Sequence, residues 1–561
     1  MNTSNELKLK RTESTFILVF LALYILSLFS HLNVIPLSFE EPRRAEVALE
    51  MMSSGNYIVP TLNETLYFNK PPLYNWLLVG LFHVTGSQSE WVVRLPTVLS
   101  LLLLACLHFV FIRKLVNPTV ALLSAIMLLT TADIYYYFSL YGEIDMFYTL
   151  LVYCQIMAIF WFYQKQQFFL LFLVSYIFMS AGVLTKGMPS LAFQALTLLG
   201  LAIWQRQFRL LFSWQHIFGL IVGFGIIVLY FNAYASYTDP IPFLARLFTE
   251  SADRSVSSKP FPLNLVHLVG FPFMIIKIGL PWFLFAIVFI KKETRGILLQ
   301  NRFLVFSMTF IIANLWIYWL SPGTRERYLY MFFTFVFTII ASGFTNINIK
   351  NFKLLQWLDT FFTVLSIILA VGFLVIPWIN LERELPHLKF ALPALSVAMF
   401  IVLYCKKYMP GSMRIVWIAL IMVVVRMAFN YTVIPHRKLS SLERKPFQVN
   451  AEAISQITQG NHVFALARVE SKEAVLRIPM VKTWKSNYDE VIWPDFELSY
   501  YLAQSTANIW KYKQEVEADN YYLAEKTLLP KRELEILHEF YVPKNNRTYV
   551  LFRVEENSSN N

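Results

Sequence analysis

The feature that most constrains this chain is a series of long apolar segments that recur between residues 15 and 434. Each segment holds about 18 to 22 residues, and a helix of that length spans the hydrocarbon core of a bilayer, roughly 30 Å thick. The whole chain is 57% hydrophobic and 15% charged, whereas soluble domains are about 45–50% apolar and about 25% charged. The sequence therefore predicts an all-α polytopic membrane protein.

We predict about 13 transmembrane helices, with ends defined to within a few residues. They cover residues 15–36, 92–112, 118–139, 146–163, 168–185, 188–204, 215–236, 268–290, 303–320, 328–346, 357–378, 388–405 and 414–434. The first segment is longer than the apolar core of a signal peptide and has no small-residue cleavage site after it. We therefore expect it to be retained as a helix.

Lysine and arginine cluster in every second loop between these predicted helices. The clusters are Arg113 with Lys114, Lys165, Arg206 with Arg209, Lys291 with Lys292, Lys350 with Lys353, and Lys406 with Lys407. Because cytoplasmic loops are enriched in these residues, we predict a multi-pass membrane protein whose N-terminus is cytoplasmic. The same bias explains much of the net charge of +12, so no nucleic-acid partner is predicted.

The chain divides by composition into two predicted domains. Residues 1–434 form the transmembrane domain, in which residues 37–91 are the first outer loop with its interfacial helices. Residues 435–561 have the composition of a soluble domain, with strand-like stretches at 462–469 and 548–554 and a helix-like stretch at 531–540. An odd number of crossings places this second domain on the far side of the membrane from the N-terminus, where we expect a small extracytoplasmic α/β domain.

Charged residues from distant parts of the chain collect at the predicted outer boundary of the membrane. They are Glu40, Glu41, Arg43, Lys70, Glu143, Asp145, Lys186, Arg254 and Arg327. Ionisable groups at the edge of the hydrocarbon are costly and are usually paired or functional. The sequence therefore predicts a polar site at this boundary.

The stretch FEEPRRAEVALEMMSSGNYIVP, residues 39–60, predicts an amphipathic helix that lies in the outer interface. Pro42 suits the first helical position and Gly55 suits the residue after the last. An apolar face is spaced at i, i+3, i+4 and i+7, formed by Ala45, Ala48, Leu49 and Met52. Glu40 and Glu41 then lie at the N-terminal end, where the helix dipole favours an ionised carboxylate.

The longer segment EEPRRAEVALEMMSSGNYIVPTLNETLYFNKPPLYNW resembles the first outer loop of bacterial polyprenyl-phosphate-sugar glycosyltransferases of the GT-C type. It is most similar to the lipid A 4-amino-4-deoxy-L-arabinose transferases and, more distantly, to the protein O-mannosyltransferases. The elements that carry the resemblance are D/E-E-x-R-x-A-E-x-x-x-E-M and K-P-P-L-x-x-W, and LTKG follows later in the chain.

The resemblance implies a GT-C fold and a reaction. A sugar would move from a polyprenyl (undecaprenyl) phosphate, with inversion at its anomeric carbon, to lipid A or a related envelope glycolipid at the outer face of the inner membrane. A protein hydroxyl or another surface glycan is the alternative acceptor. The chain shows no nucleotide-sugar or P-loop motif, which suits a lipid-linked donor within the membrane lipids.

The resemblance also assigns residues. Glu40 stands where the family usually has a catalytic Asp, and Asp145 matches the second acidic position, so these two are the predicted catalytic residues. Glu41 and Glu143 are predicted to support them. Cations would bind the donor phosphate and neutralise the charge of the leaving group; they are Lys70, Lys186, Arg43, Arg254 and Arg327.

Three departures from the family pattern leave questions open. Glu40 is one methylene longer than the usual Asp, and Asn69 stands where close lipid A relatives tend to have Glu. No His-x-x-His pair occurs near residue 260. No cofactor follows from the sequence, and a divalent metal stays an open alternative.

Each assignment also has an alternative without chemistry. Glu40 and Glu41 would be a solvated first turn of a helix, and Arg43 and Arg44 would be interfacial anchors that pair with Glu46 or Glu50. Lysines at helix ends commonly extend to the membrane surface, which applies to Lys186. A lipid or sugar transporter is the rival class, although transporters tend to place polar groups near the membrane midplane on broken helices. A binding protein without catalysis is the third alternative.

Overall fold

The computed structural model describes residues 11–253, 263–378, 387–440, 445–466, 468–478, 482–492, 495–506, 508–513, 515–531 and 533–554. Its helices, in chain order α1 to α20, are Arg11–Phe29, Glu41–Ser54, Leu73–Thr85, Glu90–Leu115, Pro118–Leu129, Ala132–Tyr136, Ile144–Gln164, Phe168–Lys186, Pro189–Gln205, Trp214–Ala235, Ile241–Asp253, Leu263–Ile278, Lys292–Gln300, Arg302–Trp319, Tyr330–Thr345, Lys353–Val375, Leu388–Cys405, Arg414–Ser440, Lys445–Ile457 and Phe496–Thr506. The strands β1 to β9 are Thr61–Leu62, Thr65–Leu66, Val463–Leu466, Arg468–Ile478, Lys482–Ile492, Lys511–Lys513, Tyr521–Glu525, Glu535–Val542 and Arg547–Arg553.

The apolar helices confirm a polytopic membrane protein. Within the described residues, 10 helices are long and apolar enough to cross a membrane, and two bent pairs raise that number to 12. The prediction of about 13 is therefore one higher than this count. The segment predicted at 188–204 does form a helix, α9, but it has only 17 residues, and at 1.5 Å per residue it falls short of a core roughly 30 Å thick.

Two predicted spans are bent, and each bend has a local cause. The span predicted at 118–139 bends by 45° after α5, where the Thr130 and Thr131 hydroxyls donate to the carbonyl oxygens of Ile126 and Met127. Such bonds back to the preceding turn often bend helices. The span predicted at 268–290 bends by 108° between α12 and a 3-10 segment, Trp282–Ile290. Pro281 lies at this break, where it cannot donate a helical hydrogen bond.

The C-terminal domain combines helices with a five-stranded sheet in the order β6-β3-β7-β9-β8. Strands β6, β3 and β7 are parallel, and β9 pairs antiparallel with both β7 and β8. β4 and β5 form a separate long hairpin that packs on α11. The strands predicted at 462–469 and 548–554 are confirmed as parts of β3 and β9. Helix α18 continues to Ser440, so the division predicted at residues 434 and 435 stays a prediction.

The helix predicted at 531–540 is wrong, because residues 535–542 form strand β8. Phe540 and Val542 are buried, while Glu539 and Tyr541 between and beside them are exposed. That alternation has the period of two that belongs to a strand with one face on a core. Pairing with β9 completes the sheet.

Helix α2 is more buried than a helix with one face toward solvent would be, and its location in the outer interface stays a prediction. Ten of its 14 residues are buried, among them Glu41, Arg44, Glu46 and Glu50. The helix packs against α3, β1 and α20, so the C-terminal domain covers the face that would otherwise meet solvent or lipid headgroups. We refer to this side of the membrane domain as the domain side.

Candidate active site

Three charged side chains from separate membrane helices meet at the domain side. Asp145 lies in the first turn of α7, Lys186 is the last residue of α8, and Arg327 lies in the 3-10 turn before α15. Asp145 Oδ1 is 2.5 Å from Lys186 Nζ, and Asp145 Oδ2 is 3.3 Å from Arg327 Nε. Asp145 is only 2% exposed and Lys186 only 8%. A single carboxylate thus holds two largely buried cations together.

The cluster continues through Glu143 to α2. Glu143 Oε2 lies 3.7 Å from Arg327 Nη1 and 2.7 Å from Arg44 Nη1. We call Arg44, Glu143, Asp145, Lys186 and Arg327 the charge network. It contains three cations and two carboxylates, and its net charge is therefore +1 at neutral pH. Because its charges are poorly screened by solvent, the surplus positive charge attracts an anion more strongly than an exposed cation would.

Two tyrosine rings flank the Lys186 ammonium group. Nζ lies 4.1 Å from the centre of the Tyr328 ring and 5.0 Å from that of Tyr148, within the range of cation–π attraction. The positive charges of Arg327 and Lys70 also act on Lys186. The structure thus brings the predicted residues Lys186 and Arg327 together on Asp145, and the charge of Lys70 acts on Lys186.

Glu40 and Arg43 form a more open pair at the start of α2. Glu40 Oε2 is 3.0 Å from Arg43 Nη1, and the Glu40 side chain is 36% exposed. Arg43 also lies over the ring of Phe496, with 4.2 Å between the guanidinium carbon and the ring centre. Among the two predicted catalytic carboxylates, Glu40 is the one that a substrate can reach. Asp145 is enclosed by its cations.

Glu41 points the other way, into a buried ion pair with Arg94 of α4. The Arg94 Nε lies 2.9 Å from Glu41 Oε1, and the backbone N–H groups of Ser38 and Gly142 donate to the same carboxylate. Arg94 further donates to the carbonyl oxygen of Ile35 at 2.9 Å. Glu41 therefore connects the segment between α1 and α2 with the turn that leads into Glu143 and Asp145.

Gly142 in that turn cannot be replaced without a shift of the backbone. A Cβ atom built there would lie 2.6 Å from the carbonyl oxygen of Val93. The close approach of this turn to α4 lets Glu41 accept the Gly142 N–H group at 2.6 Å. The position of the two network carboxylates thus depends on a residue without a side chain.

Sequence reasoning missed two of the arginines. Arg44 was expected to anchor at the interface and pair with Glu46 or Glu50, but it pairs with Glu143 in the charge network. Burial alone would lower the pKa of Arg44, but Glu143, Glu40 and two nearby tyrosines together outweigh burial, so that the pKa is raised. Arg94 lies inside the span predicted at 92–112. An ionisable residue within a span is usually paired or functional, and this signal could have identified Arg94.

Two expectations concern Arg254 and a divalent metal. Arg254, a predicted ligand of the donor phosphate, lies outside the described residues. Among the residues that are described, no group of three or more His, Cys, Asp or Glu side chains could hold a metal ion. The two carboxylates of the charge network, Glu143 and Asp145, both form ion pairs with basic side chains.

Glu46 and Glu50 are buried acids at the contact between α2 and the C-terminal domain. The Ser499 hydroxyl donates to Glu46, and Asn63 lies within 2.5 Å of the same carboxylate oxygen, so that its amide nitrogen donates as well. The backbone N–H groups of Asn63 and Glu64 donate to Glu50. Burial raises the pKa of Glu46 well above its usual range and that of Glu50 to about 7.

The raised pKa of Glu50 predicts a pH dependence of stability. Above about pH 4.5 the unfolded chain releases this proton, whereas the folded protein holds it up to about pH 7. The free energy of unfolding should therefore fall as pH rises through that window, by on the order of 3 kcal/mol from this group. We expect Glu50→Gln to flatten the fall of the melting temperature in detergent between pH 5 and 7.

Glu539→Gln is the control for this measurement, because Glu539 is an exposed acid on β8 that pairs with Lys526 at the surface. Glu46 keeps its own contribution in both variants. A melting curve series with the wild-type slope in Glu50→Gln would contradict the assignment to Glu50.

Comparison with known proteins gives both a family match and a fold. Residues 69–233 match the model of the dolichyl-phosphate-mannose-protein mannosyltransferase family. The chain is 28% identical over 209 residues to the undecaprenyl phosphate-alpha-4-amino-4-deoxy-L-arabinose arabinosyl transferase of Shewanella sediminis, which covers 35% of this chain and 37% of that protein. It is 32% identical over 202 residues to the protein of the same name from Enterobacter sp., covering 34% and 35%. These alignments span little more than a third of the relatives' length.

The solved structures extend the likeness over almost the whole chain. The crystal structure of ArnT from Cupriavidus metallidurans bound to undecaprenyl phosphate matches with a TM-score of 0.67 and 15% sequence identity, covering 96% of this chain and 97% of that one. The apo structure of the same protein matches with a TM-score of 0.64 over the same shares. The predicted fold, a bundle of membrane helices with a small C-terminal domain, is confirmed, and so is the resemblance drawn from the first loop.

Proposed function

We propose that this protein is a membrane glycosyltransferase that moves a sugar from undecaprenyl phosphate to lipid A or a related envelope glycolipid, with inversion at the anomeric carbon. The observation that carries the proposal is the charge network. Its surplus positive charge lies at the end of the membrane helices in a fold shared with ArnT, and the more exposed carboxylate of Glu40 is close enough for its charge to act on Arg44 of the network. A lipid phosphate lies at that depth in a bilayer.

In the proposed reaction an acceptor oxygen attacks the anomeric carbon of the donor sugar. The bond from that carbon to the phosphate oxygen breaks, and undecaprenyl phosphate leaves with the electron pair. Lys70, Lys186, Arg43, Arg254 and Arg327 are the proposed phosphate ligands. Cations fixed in advance stabilise the charge that develops on such a leaving group.

The two carboxylates have different proposed roles. Glu40 takes the proton if the acceptor is a hydroxyl, because it is the more exposed of the two. Asp145 holds Lys186 and Arg327 next to each other, so that both cations are in place before a phosphate binds. If the acceptor is a phosphate of lipid A, no proton has to leave, and Glu40 orients the acceptor instead.

We further propose that the protein is in the inner membrane with its domain side in the periplasm. The basic clusters support this orientation. Arg113 and Lys114 end α4, whose first residue, Glu90, accepts a hydrogen bond from Tyr501 of the C-terminal domain, and Lys165 follows the end of α7 opposite to Asp145. The charges of the network lie at helix ends rather than at the centre of the bundle, which favours a transferase over a transporter. A protein or another surface glycan stays the alternative acceptor.

Mass spectrometry of lipid A and of total envelope glycolipids would test the proposal. We would compare cells that contain the wild-type protein, Glu40→Gln or no protein. A sugar on lipid A that is lost in both controls supports the reaction and the acceptor. Accumulated undecaprenyl-linked sugar with unchanged lipid A would overturn the acceptor, and unchanged pools of both would overturn the transferase.

A further inference from the structure

Helix α20 of the C-terminal domain holds the first loop, residues 37–91, at three points. The Tyr501 hydroxyl accepts the N–H group of Leu37 at 2.8 Å, where the loop begins. The Ser499 hydroxyl donates to Glu46 in the middle of the loop. The Tyr500 hydroxyl donates to the carbonyl oxygen of Gln88 near its end. A single helix of another domain thus fixes the whole loop that carries Glu40 and Lys70.

The first residue of the same helix reaches the open pair of the site. The ring centre of Phe496 lies 4.2 Å from the guanidinium carbon of Arg43, and Arg43 in turn lies 3.0 Å from Glu40. The preceding residue, Asp495, caps α20, because its Oδ1 accepts the N–H group of Glu497 at 2.9 Å. The position of the ring is therefore set by a capped helix that is itself attached to the loop.

We propose that the C-terminal domain is part of the active site, with Phe496 as a positioning residue that holds Arg43 in its pair with Glu40. The proposal rests on the proposed function for the roles of Arg43 and Glu40. An arginine at a partly open site has many rotamers, and ordering it has an entropic cost. The face of an aromatic ring favours the one arrangement in which the guanidinium lies over it.

This arrangement gives the C-terminal domain a role beyond covering the membrane part. The ring approaches one side of the guanidinium group, and the Glu40 carboxylate approaches its edge at Nη1. Without the ring face, Arg43 should adopt other rotamers in which it no longer pairs with Glu40. A smaller fraction of the molecules would then have Arg43 and Glu40 in the arrangement that the reaction needs. The expected effect is on turnover, with little effect on melting temperature.

The test is a double-variant cycle with purified full-length protein, undecaprenyl-phosphate sugar and lipid A. Phe496→Leu keeps an apolar side chain but removes the ring, and we expect kcat to fall about tenfold, the size of a cation–π contact at a partly buried site. Phe496→Trp keeps a ring face and should restore most of the rate. In the Arg43→Gln background the change Phe496→Leu should have no further effect, because the two residues act through one contact.

Tyr541→Leu is the matched control, an exposed aromatic residue on β8 of the same domain. Wild-type turnover in Phe496→Leu, or a tenfold loss that persists in the Arg43→Gln background, would overturn the proposal. Failure of Phe496→Trp to regain activity while it keeps the wild-type melting temperature would do the same. Absence of transfer by the wild-type protein itself would instead overturn the proposed function.

Discussion

Replacing Glu40 by glutamine should lower kcat by about 10³-fold, the middle of the range for a lost general base. Glutamine keeps the length of the side chain and can still accept a hydrogen bond, but it cannot take a proton from an acceptor hydroxyl. Two of the proposed phosphate ligands, Lys186 and Arg327, are held by Asp145 and not by Glu40, so we expect the KM for the donor to change by less than about threefold. Steady-state kinetics with both substrates varied would measure the two parameters.

The length of the side chain at this position offers a second comparison. Glu40→Asp keeps the carboxylate but withdraws it by one methylene, and we expect it to recover to within about tenfold of the wild-type kcat. Glu64→Gln serves as the control, since Glu64 is an exposed acid of the same loop that pairs with Lys511 at 2.7 Å. Wild-type kcat in Glu40→Gln would show that no proton passes to this group, as expected for a phosphate acceptor.

The position of the charged residues could be predicted from the sequence, but their partners could not. Asp145, Lys186 and Arg327 each lie at the end of a predicted span, and alternate helix ends share one side of the membrane. Which ends touch depends on which helices are neighbours. Helix α7 is apolar on all its faces, so its periodicity does not identify the helix that covers each face.

Helix α2 shows a different limit. Its ends were predictable, because Pro42 lies in the first turn and Gly55 adopts the left-handed conformation at the C-terminal cap. Its burial was not, since the residue that bonds Glu46 lies 453 positions later in the chain. Charged side chains on a helix indicate a solvated face only where nothing else covers it. Here α20 covers this face of α2, so Glu46 and Glu50 are buried, and Arg44 pairs with Glu143.

Replacing Asp145 by asparagine should lower kcat/KM by about 10³-fold and also destabilise the protein. The substitution is nearly isosteric, but it leaves Lys186 and Arg327 as two buried cations without the carboxylate that holds them at 2.5 and 3.3 Å. Breaking a buried ion pair in this way costs about 3–5 kcal/mol. The repelling cations should move apart, and the donor phosphate then loses ligands that were in place before it bound.

Asp359→Asn is the matched control for this variant. Asp359 also lies between a lysine and an arginine, 2.8 Å from Lys406 and 3.4 Å from Arg414. It is found at the start of α16, at the opposite end of the helix bundle from the charge network. We expect some loss of melting temperature from this change but a kcat/KM within about twofold of wild type, as for sites that are distant and independent.

A double variant separates the structural from the functional role of Asp145. In Asp145→Asn with Lys186→Met, one buried cation is removed together with the carboxylate, so the melting temperature should rise from that of Asp145→Asn toward wild type. Activity should not return, because methionine cannot bind a phosphate. If activity returns together with the melting temperature, Asp145 and Lys186 only stabilise the fold, and the donor phosphate must be bound by other cations of the domain side.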